Sequence, residues 1–525
     1  MTGVLARLVW RRLQLRTALW ALGLLVLTSA VVTSYQRLYP APADRAGLTA
    51  SAAANASFRA LLGVPGDLST PGGYTAWRVG VFLGVLAGLY GLLTVVAFTR
   101  GEEEAGRWEL IWAGTLRRHA PLLVTLLGVA SGCVVLGGAV SGALLAAGAG
   151  GRGAVLVGAW VAVVGLDFAA AGTVTAQLAA ARRAASALAG AALGLAYLVR
   201  MAADGAHGRA WLAWASPLGW LEKVDAYRAD NAGPVLLGGV VAVVLFAVAF
   251  VLEGNRDLGA GLWHTGAGPA GTRWIRTPEL LAFRVYAGSV LGWAAGVAVL
   301  GAVVAAIAVD VGDFVGQDPQ TARLIARFGG SGDLARAYLG GSFQFIGVLV
   351  VVVAVGGVLR IRAEEIGGRA EAVLAQPVRR TRWAAAYLLA GLGGAVCAAA
   401  AAGLAGAGTA AARPGGDPAG VLAAAANALP AALCFAGLAC ALVGFLPRRA
   451  TVVGLAVPVV LFLLDYFGRL LEVPGAVLTV SPFHHVATVP AEGFDLPGAV
   501  ALAVAGVVLA ALGLVGVQRR DLVPA

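Results

Sequence analysis

Long apolar runs constrain this chain more than any other feature of its sequence. Twelve such runs can be drawn along the 525 residues, each close to the roughly 20 residues that a helix needs to cross a bilayer. Lipid offers the backbone no hydrogen-bond partner, so such runs cross a membrane as helices. We therefore predict an all-α polytopic membrane protein with twelve transmembrane helices. The predicted spans are 17–36, 77–99, 120–147, 154–178, 184–201, 234–252, 285–309, 340–359, 384–411, 420–446, 450–470 and 497–517.

The composition agrees with this prediction. Charged residues make up 12% of the chain and hydrophobic residues 59%, whereas a soluble protein carries about 25% charged residues. The first run follows four arginines between Arg7 and Arg16, as a signal peptide would. It is too long for the apolar part of a signal peptide, so we expect it to be retained as the first span.

The distribution of basic residues predicts the orientation. If the N-terminus is cytoplasmic, 24 of the 38 Lys and Arg residues fall in inner segments and 14 in outer segments. Inner loops of membrane proteins are enriched in Lys and Arg, so both termini are predicted to be cytoplasmic. The net charge of +11 is then a consequence of topology. It gives no support to nucleic-acid binding, which would need a folded basic surface.

Residues that commonly form catalytic, metal or nucleotide sites do not form recognisable patterns. The four cysteines all lie in predicted spans, and the five histidines lack zinc-site spacing. The only lysine, Lys223, stands in Leu-Glu-Lys-Val, whereas a P-loop needs Gly-Lys-Ser/Thr to reach the phosphates. We therefore predict no catalytic residue, metal site or cofactor site in this chain, and no P-loop binding of ATP.

An internal repeat divides the sequence into two halves. A shift of 262 residues aligns the segment after the second span with the segment after the eighth, without a gap. We predict two parallel six-helix repeats, 1–265 and 266–525, related by a pseudo-two-fold axis along the membrane normal. The matched residues are Arg100, Glu102, Glu103, Gly106, Arg107, Glu109, Ala113, Arg117 and Arg118 in the first half, with Arg362, Glu364, Glu365, Gly368, Arg369, Glu371, Ala375, Arg379 and Arg380 in the second.

The repeated segment favours a docking surface. As a helix, residues 107–118 would place Trp108, Ile111, Trp112 and Thr115 on one face. In the second copy Pro377 occupies the position of Thr115 and would end or kink the helix. The alternative is a solvated turn whose Glu and Arg residues pair with each other. Nine residue types kept across two diverged halves favour docking, because a solvated surface would need only polarity.

The repeated pattern Glu-Glu-x-x-Gly-Arg-x-Glu, followed by Arg-Arg, resembles the cytoplasmic coupling region of second-type ATP-binding-cassette (ABC) export permeases. The fused twelve-span form is similar to actinobacterial permeases described as polyketide-antibiotic exporters. Three further features occur in both halves and support the resemblance. They are basic segments before each first span (5–16 and 273–284), Arg-Arg before each fifth span, and Ser216-Pro217 and Ser481-Pro482 after it. Thr115 departs from the proline usual in the family.

This resemblance implies a transport function. In the family, coupling loops, here 100–118 and 360–382, dock onto a separately encoded ATPase, and the basic segments form interfacial elbow helices. Ser-Pro would open short re-entrant helices at the outer side. We expect a permease in a bacterial plasma membrane that exports a hydrophobic or amphipathic, antibiotic-like or drug-like compound by alternating access. ATP and Mg²⁺ would bind the partner, expected to be a homodimer because one chain already supplies both loops, and this chain would not be an enzyme. The implied coupling residues are Glu102, Glu103, Gly106, Arg107, Glu109, Glu364, Glu365, Gly368, Arg369 and Glu371.

Asp167 supports an alternative function. It lies in the middle of the fourth span, where an ionised carboxylate is costly. It is either a proton or cation-substrate site, as in a proton-coupled secondary transporter, or a protonated acid bonded to a neighbouring helix. Asp465 and Arg469 are spaced for a local ion pair. A membrane-embedded lipid-modifying enzyme is a third reading, but it would need clustered His, Asp or Glu at one membrane face, which the sequence lacks.

Overall fold

The computed structural model describes residues 2–40, isolated positions between 45 and 59, and residues 61–112, 118–205, 208–263, 275–315, 334–470 and 474–522. Within these residues the regular elements are helices, and no strand is present. The chain divides into two compact units, Met1–Gly268 and Pro269–Ala525. The predicted symmetry between the two halves stays a prediction.

The first unit contains nine α-helices and one 3₁₀ helix among its described residues. Each predicted span lies within one of the six long helices or extends one residue past its end, and the short helices lie in the connections. The helices are α1 (Thr2–Leu38), α2 (Pro71–Phe98), α3 (Arg100–Glu104), α4 (Arg107–Trp112), α5 (Ala120–Ala146), α6 (Gly151–Leu178), α7 (Arg182–Gly205), the 3₁₀ helix Ala210–Ala215, α8 (Trp220–Val224) and α9 (Gly233–Gly254).

The second unit repeats the order of long helices. Its fourth span is made of two consecutive helices, because the segment breaks at Asn427 and Ala428. The described helices are α10 (Pro278–Val315), α11 (Leu334–Ile366), α12 (Arg369–Leu374), α13 (Arg380–Ala411), α14 (Pro418–Ala426), α15 (Leu429–Phe445), α16 (Ala450–Leu470), α17 (Gly475–Leu478), the 3₁₀ helix Pro482–His485 and α18 (Leu496–Arg519).

The predicted membrane-spanning character is confirmed. Eleven helical segments in the described residues are long and apolar enough to cross a bilayer. The remaining predicted span corresponds to α16, whose apolar part Ala450–Tyr466 is shorter. The structure is consistent with twelve spans in an all-α membrane protein.

Corresponding pairs of helices pack together within each unit. The first and third spans pack as α1 with α5 and as α10 with α13, and the fourth and sixth pack as α6 with α9 and as α15 with α18. Small residues permit this close approach. At Gly437 of α15 an added Cβ would lie 2.1 Å from the carbonyl oxygen of Gly506 in α18.

Several local expectations are corrected. Residues 5–16 do not form a separate elbow helix, because α1 runs from Thr2 to Leu38 without interruption. Ser216 does not cap the start of a helix: its Oγ donates to the Ala196 carbonyl and accepts from Leu218 N–H, and α8 begins only at Trp220. Ser481, by contrast, caps the 3₁₀ helix that starts at Pro482.

The acid at the end of α16 has a partner that the spacing did not predict. Asp465 Oδ1 lies 2.9 Å from Nδ1 of His484. The side chain of Arg469 lies outside the described residues, so the predicted pair with Asp465 stays a prediction. His485 Nε2 lies 3.0 Å from the Thr479 carbonyl oxygen. Both histidines are therefore hydrogen-bonded.

Candidate functional site

The repeated loop of the first unit folds as two short helices joined by a turn at a glycine. Gly106 has φ +69°, a left-handed conformation that glycine adopts without the steric cost of a Cβ. Its N–H donates to the Glu103 carbonyl, ending α3. Gly368 has φ +68° and donates in the same way to Glu365. The repeat therefore preserves a backbone turn as well as charge.

An acid beside this turn pairs with the arginine after the glycine in both units. Arg107 Nη2 donates to Glu102 Oε1 over 2.8 Å, and Arg369 Nε donates to Glu364 Oε2 over 2.7 Å. These hydrogen bonds raise the pKa of Arg107 and that of Arg369 above their ordinary value. In the first unit Arg12 of α1 also donates to Glu102, over 2.9 Å. This hydrogen bond connects α1 to the loop.

The second acid of the motif faces into each unit. The side chains of Glu103 and Glu365 are 2% and 1% exposed. Arg256 forms a two-pronged contact with Glu103, with Nη1–Oε1 and Nη2–Oε2 distances of 2.6 and 2.8 Å. Arg520 Nη2 donates to Glu365 Oε1 over 2.5 Å. Buried carboxylates of this kind need such partners, because an unpaired buried charge is strongly unfavourable.

Two further arginines complete each group. Arg100 Nη1 lies 3.1 Å from Glu103 Oε2, and Arg362 Nη1 lies 2.9 Å from Glu365 Oε2. At the far end of the loop, Arg118 Nη2 donates to the Arg256 carbonyl over 2.5 Å, and Arg380 Nη1 donates to that of Arg520 over 2.8 Å. Both ends of each loop therefore contact the end of the last helix of that unit. We call the two groups the first ionic cluster (Arg100, Glu103, Arg118, Arg256) and the second ionic cluster (Arg362, Glu365, Arg380, Arg520).

Two acids of the repeated motif point outward. Glu109 on α4 and Glu371 on α12 are exposed, and no hydrogen bond or ion pair of their side chains is found in the described part of the chain. The residues just before them face inward, since Trp108 is 3% and Ala370 1% exposed. Each short helix thus has a buried face that fixes it and an exposed acidic face.

The apolar docking face predicted for residues 107–118 is not available at Trp108. Trp108 packs within the buried core of the first unit, so it is not available for docking. Helix α4 ends at Trp112, and Thr115 lies outside the described residues. Helix α12 ends at Leu374, three residues before Pro377. Helical spacing predicted that these side chains share a face, but it could not show that the protein itself covers Trp108.

Asp167 is buried and lacks a hydrogen-bonding partner among the described residues. Asp167 is 3% exposed, and neither of its carboxylate oxygens has a hydrogen bond to a described residue. Gly238 of α9 faces it: a Cβ there would lie 3.3 Å from Asp167 Oδ2. The acid therefore sits at the contact between α6 and α9.

A cavity of about 370 Å³ opens beside α7 and α8 of the first unit. Asp204 lines this cavity, and its Oδ2 lies 3.4 Å from Nε of Arg200. Burial and the adjacent Asp204 raise the pKa of Glu222 well above its ordinary value. Sequence reasoning missed this group, because Asp204 and Glu222 lie in different elements. The cavity is also lined by Arg59, Leu62, Trp77, Val81, Leu221, Lys223 and Asp225.

Comparison with known proteins identifies the family. Residues 275–518 match the family model of the C-terminal domain of the multidrug efflux system permease Rv1217c. Over 528 aligned positions the chain is 35% identical to the multidrug efflux system permease protein Rv1217c of Mycobacterium tuberculosis, and the alignment covers 99% of this chain and 95% of that protein. The chain therefore belongs to the family of multidrug efflux system permeases that includes Rv1217c.

Proposed function

We propose that this permease is the membrane subunit of an ATP-driven ABC exporter and that a separate ATPase supplies the energy. The supporting observation is the repeated loop, in which each unit holds a short helix by its buried face and exposes an acid, Glu109 or Glu371. Two equivalent docking elements on one chain suit two identical ATPase subunits. ATP and Mg²⁺ would bind those subunits.

The two loops would carry the motion of the ATPase dimer into the helices. Closure of the dimer on ATP would draw the loops together and switch the permease between inward-open and outward-open states. Substrate would enter from the cytoplasm or inner leaflet and leave outside. The loops must then face the cytoplasm, which agrees with the predicted cytoplasmic termini and with the excess of basic residues in the predicted inner segments.

The proposed substrates are hydrophobic or amphipathic small molecules of drug or antibiotic type in a bacterial plasma membrane. The supporting observations are the apolar character of the helices and the multidrug efflux name of the related Mycobacterium tuberculosis protein. Apolar pockets discriminate weakly between compounds that differ by a methylene group. A broad range of exported compounds is therefore expected.

The partner can be tested by affinity purification. The tagged chain is purified in mild detergent from its own organism, and copurifying proteins are identified by mass spectrometry. The proposal expects an ATPase with a P-loop, at about two copies per permease. Absence of any such ATPase at stoichiometric amounts, while the permease itself is folded and monodisperse, would contradict the proposal.

The buried carboxylate of Asp167 supports one alternative, a proton-coupled secondary transporter. Its two oxygens have no hydrogen bond within the described residues, and intramembrane acids often belong to proton pathways. This function predicts transport by the chain alone, driven by a proton gradient. Reconstitution of the lone chain with a pH gradient, and without ATP or ATPase, separates the two functions.

A further inference from the structure

We propose that the two ionic clusters fix each coupling loop to the last helix of its own unit, so that motion received by the loop is delivered to that helix. This inference rests on the proposed ATP-driven function and names the positioning residues through which it acts. Neither Arg256 nor Arg520 contacts a reacting group or the proposed ATPase-docking acids. Each would act by holding the loop.

The same three contacts occur twice, at positions related by the sequence repeat. Arg100, Glu103 and Arg118 correspond to Arg362, Glu365 and Arg380 at the shift of 262 residues, and Arg256 corresponds to Arg520 at a shift of 264. In each unit the glutamate accepts a hydrogen bond from the arginine that follows the last helix. The arginine at the far end of the loop, Arg118 or Arg380, donates to the backbone carbonyl of that same arginine. Contacts with only a local structural role would not need to recur at corresponding positions.

The ion pairs around Glu103 and Glu365 are shielded from water, which makes them firm contacts. In the first cluster the side chains of Arg100, Glu103 and Arg256 are 0%, 2% and 4% exposed. In the second, Arg520 is 13% exposed and Glu365 1%. Exposed ion pairs contribute little to the stability of the folded protein, because water and salt screen them. Buried pairs with good geometry hold their partners in one arrangement, and removal of one partner is strongly unfavourable.

Further contacts strengthen the first cluster. Arg256 Nε donates to Gln177 Oε1 over 2.6 Å, and Arg100 Nε donates to the Ala176 carbonyl over 2.9 Å. His119 Nδ1 lies 2.6 Å from Glu253 Oε2. The start of the loop, its end, the C-terminal end of α6 and the segment after α9 are thus joined. The second cluster, by contrast, holds Glu365 by a single hydrogen bond from the last-helix arginine.

This difference makes the lysine variants informative. A lysine donates from a single nitrogen and lacks the planar fork of arginine. Arg520→Lys should therefore keep most of the function of the second cluster. Arg256→Lys should lose much of the function of the first, because the two contacts with Glu103 and the one with Gln177 use three different guanidinium nitrogens, and lysine has only one.

The test uses the full permease assembled with its ATPase in proteoliposomes, and it measures substrate exported per ATP hydrolysed. Arg520→Gln and Glu365→Gln are compared with Arg519→Gln, a matched control whose exposed side chain lies next to Arg520. Each cluster variant should lower export per ATP by about tenfold, within the usual range of coupling factors between sites. ATP hydrolysis and copurification should stay within about twofold of wild type. Equal export per ATP in Arg520→Gln and Arg519→Gln would overturn the inference, as would parallel loss of export and hydrolysis.

A second measurement on the permease alone does not depend on the ATPase. Spin labels at Ala372→Cys on α12 and Gln518→Cys on α18 report the distance from loop to last helix, in a background where exposed Cys397 is replaced by Ala. The wild type should show one narrow distance distribution, and Arg520→Gln should broaden it at least about twofold, because the contact that fixes the distance is lost. Equal widths would overturn the inference. Failure of the wild type to use ATP would instead overturn the proposed function, and the distance measurement would still decide the inference.

Discussion

Arg256, just after the last helix of the first unit, donates two hydrogen bonds of 2.6 and 2.8 Å to Glu103 of the coupling loop. The two residues are 153 positions apart in the sequence. Their contact places the buried acid of the motif inside the protein and leaves Glu109 on the surface. The motif therefore contains two kinds of acid, one that holds the loop and one that is free to contact another protein.

The first prediction concerns docking by the exposed acids. The double variant Glu109→Ala and Glu371→Ala should weaken binding of the ATPase by roughly tenfold, because two interfacial charge contacts together contribute about 1–2 kcal/mol. The measurement is titration of purified ATPase onto immobilised permease at several salt concentrations. Asp521→Ala, which removes another exposed acid, serves as the control. Undiminished affinity and full coupled export in the double variant would count against docking by these helices.

The second prediction concerns Asp167. Under ATP-driven transport, Asp167→Asn should keep export within about twofold of wild type, with the same dependence on pH. The substitution preserves the shape of a side chain that has no hydrogen bond among the described residues, and it removes the cost of a buried acid. The assay is export from proteoliposomes between pH 6 and about 8. A lost or shifted pH profile in the variant would favour the proton-coupled alternative.

The third prediction concerns pH-dependent stability at the cavity of the first unit. The pKa of Glu222 lies well above its ordinary value of 4.5, first because of burial and then because of Asp204. The folded protein therefore binds this proton more tightly than the unfolded chain, so stability is full below the ordinary pKa. It falls as the pH rises toward the pKa of the folded state, by at most about 1.4 kcal/mol per pH unit for one proton.

Glu222→Gln should remove that dependence, because glutamine does not titrate. Thermal unfolding of wild type and variant is followed from pH 5 to about 8. The variant's advantage in Tm should grow as the pH rises. Parallel curves across the range would show that Glu222 does not titrate differently in the folded and unfolded chains.

The fourth prediction concerns close helix packing in the second unit. Gly437→Val should destabilise the protein by about 1–3 kcal/mol, because the new side chain would force α15 away from α18. A Cβ at Gly437 would meet the Gly506 carbonyl oxygen at 2.1 Å. Gly292→Val is the matched control, since nothing lies within 4 Å of a Cβ there. Equal thermal stability of the two variants would mean that the helices can separate without cost.

Much of the fold could be predicted from the length of the apolar runs. The predicted span 234–252 lies within α9, Gly233–Gly254, because an apolar run in lipid must continue as helix until polar residues allow it to end. The N-terminal helix was harder to predict. Arginines in 5–16 suggested an interfacial element, but they are compatible with a helix that simply continues, as α1 does.

The site was predictable only at the level of the motif. Comparison of the two halves identified Glu103 and Glu365 but gave both a docking role, because sequence cannot show which way a side chain points. Arg256 and Arg520 were not paired with these acids, since nothing local links residues that far apart. A signal did exist: both arginines follow the last span of their half at nearly the same repeat shift.

The most direct test of the central claim is reconstitution of the permease in sealed proteoliposomes with and without its copurifying ATPase. Movement of a fluorescent hydrophobic compound is followed after addition of ATP and Mg²⁺, or after a pH gradient is imposed without ATP. The ATP-driven account predicts transport only when the ATPase and ATP are both present. Transport by the lone chain in response to the pH gradient would contradict it.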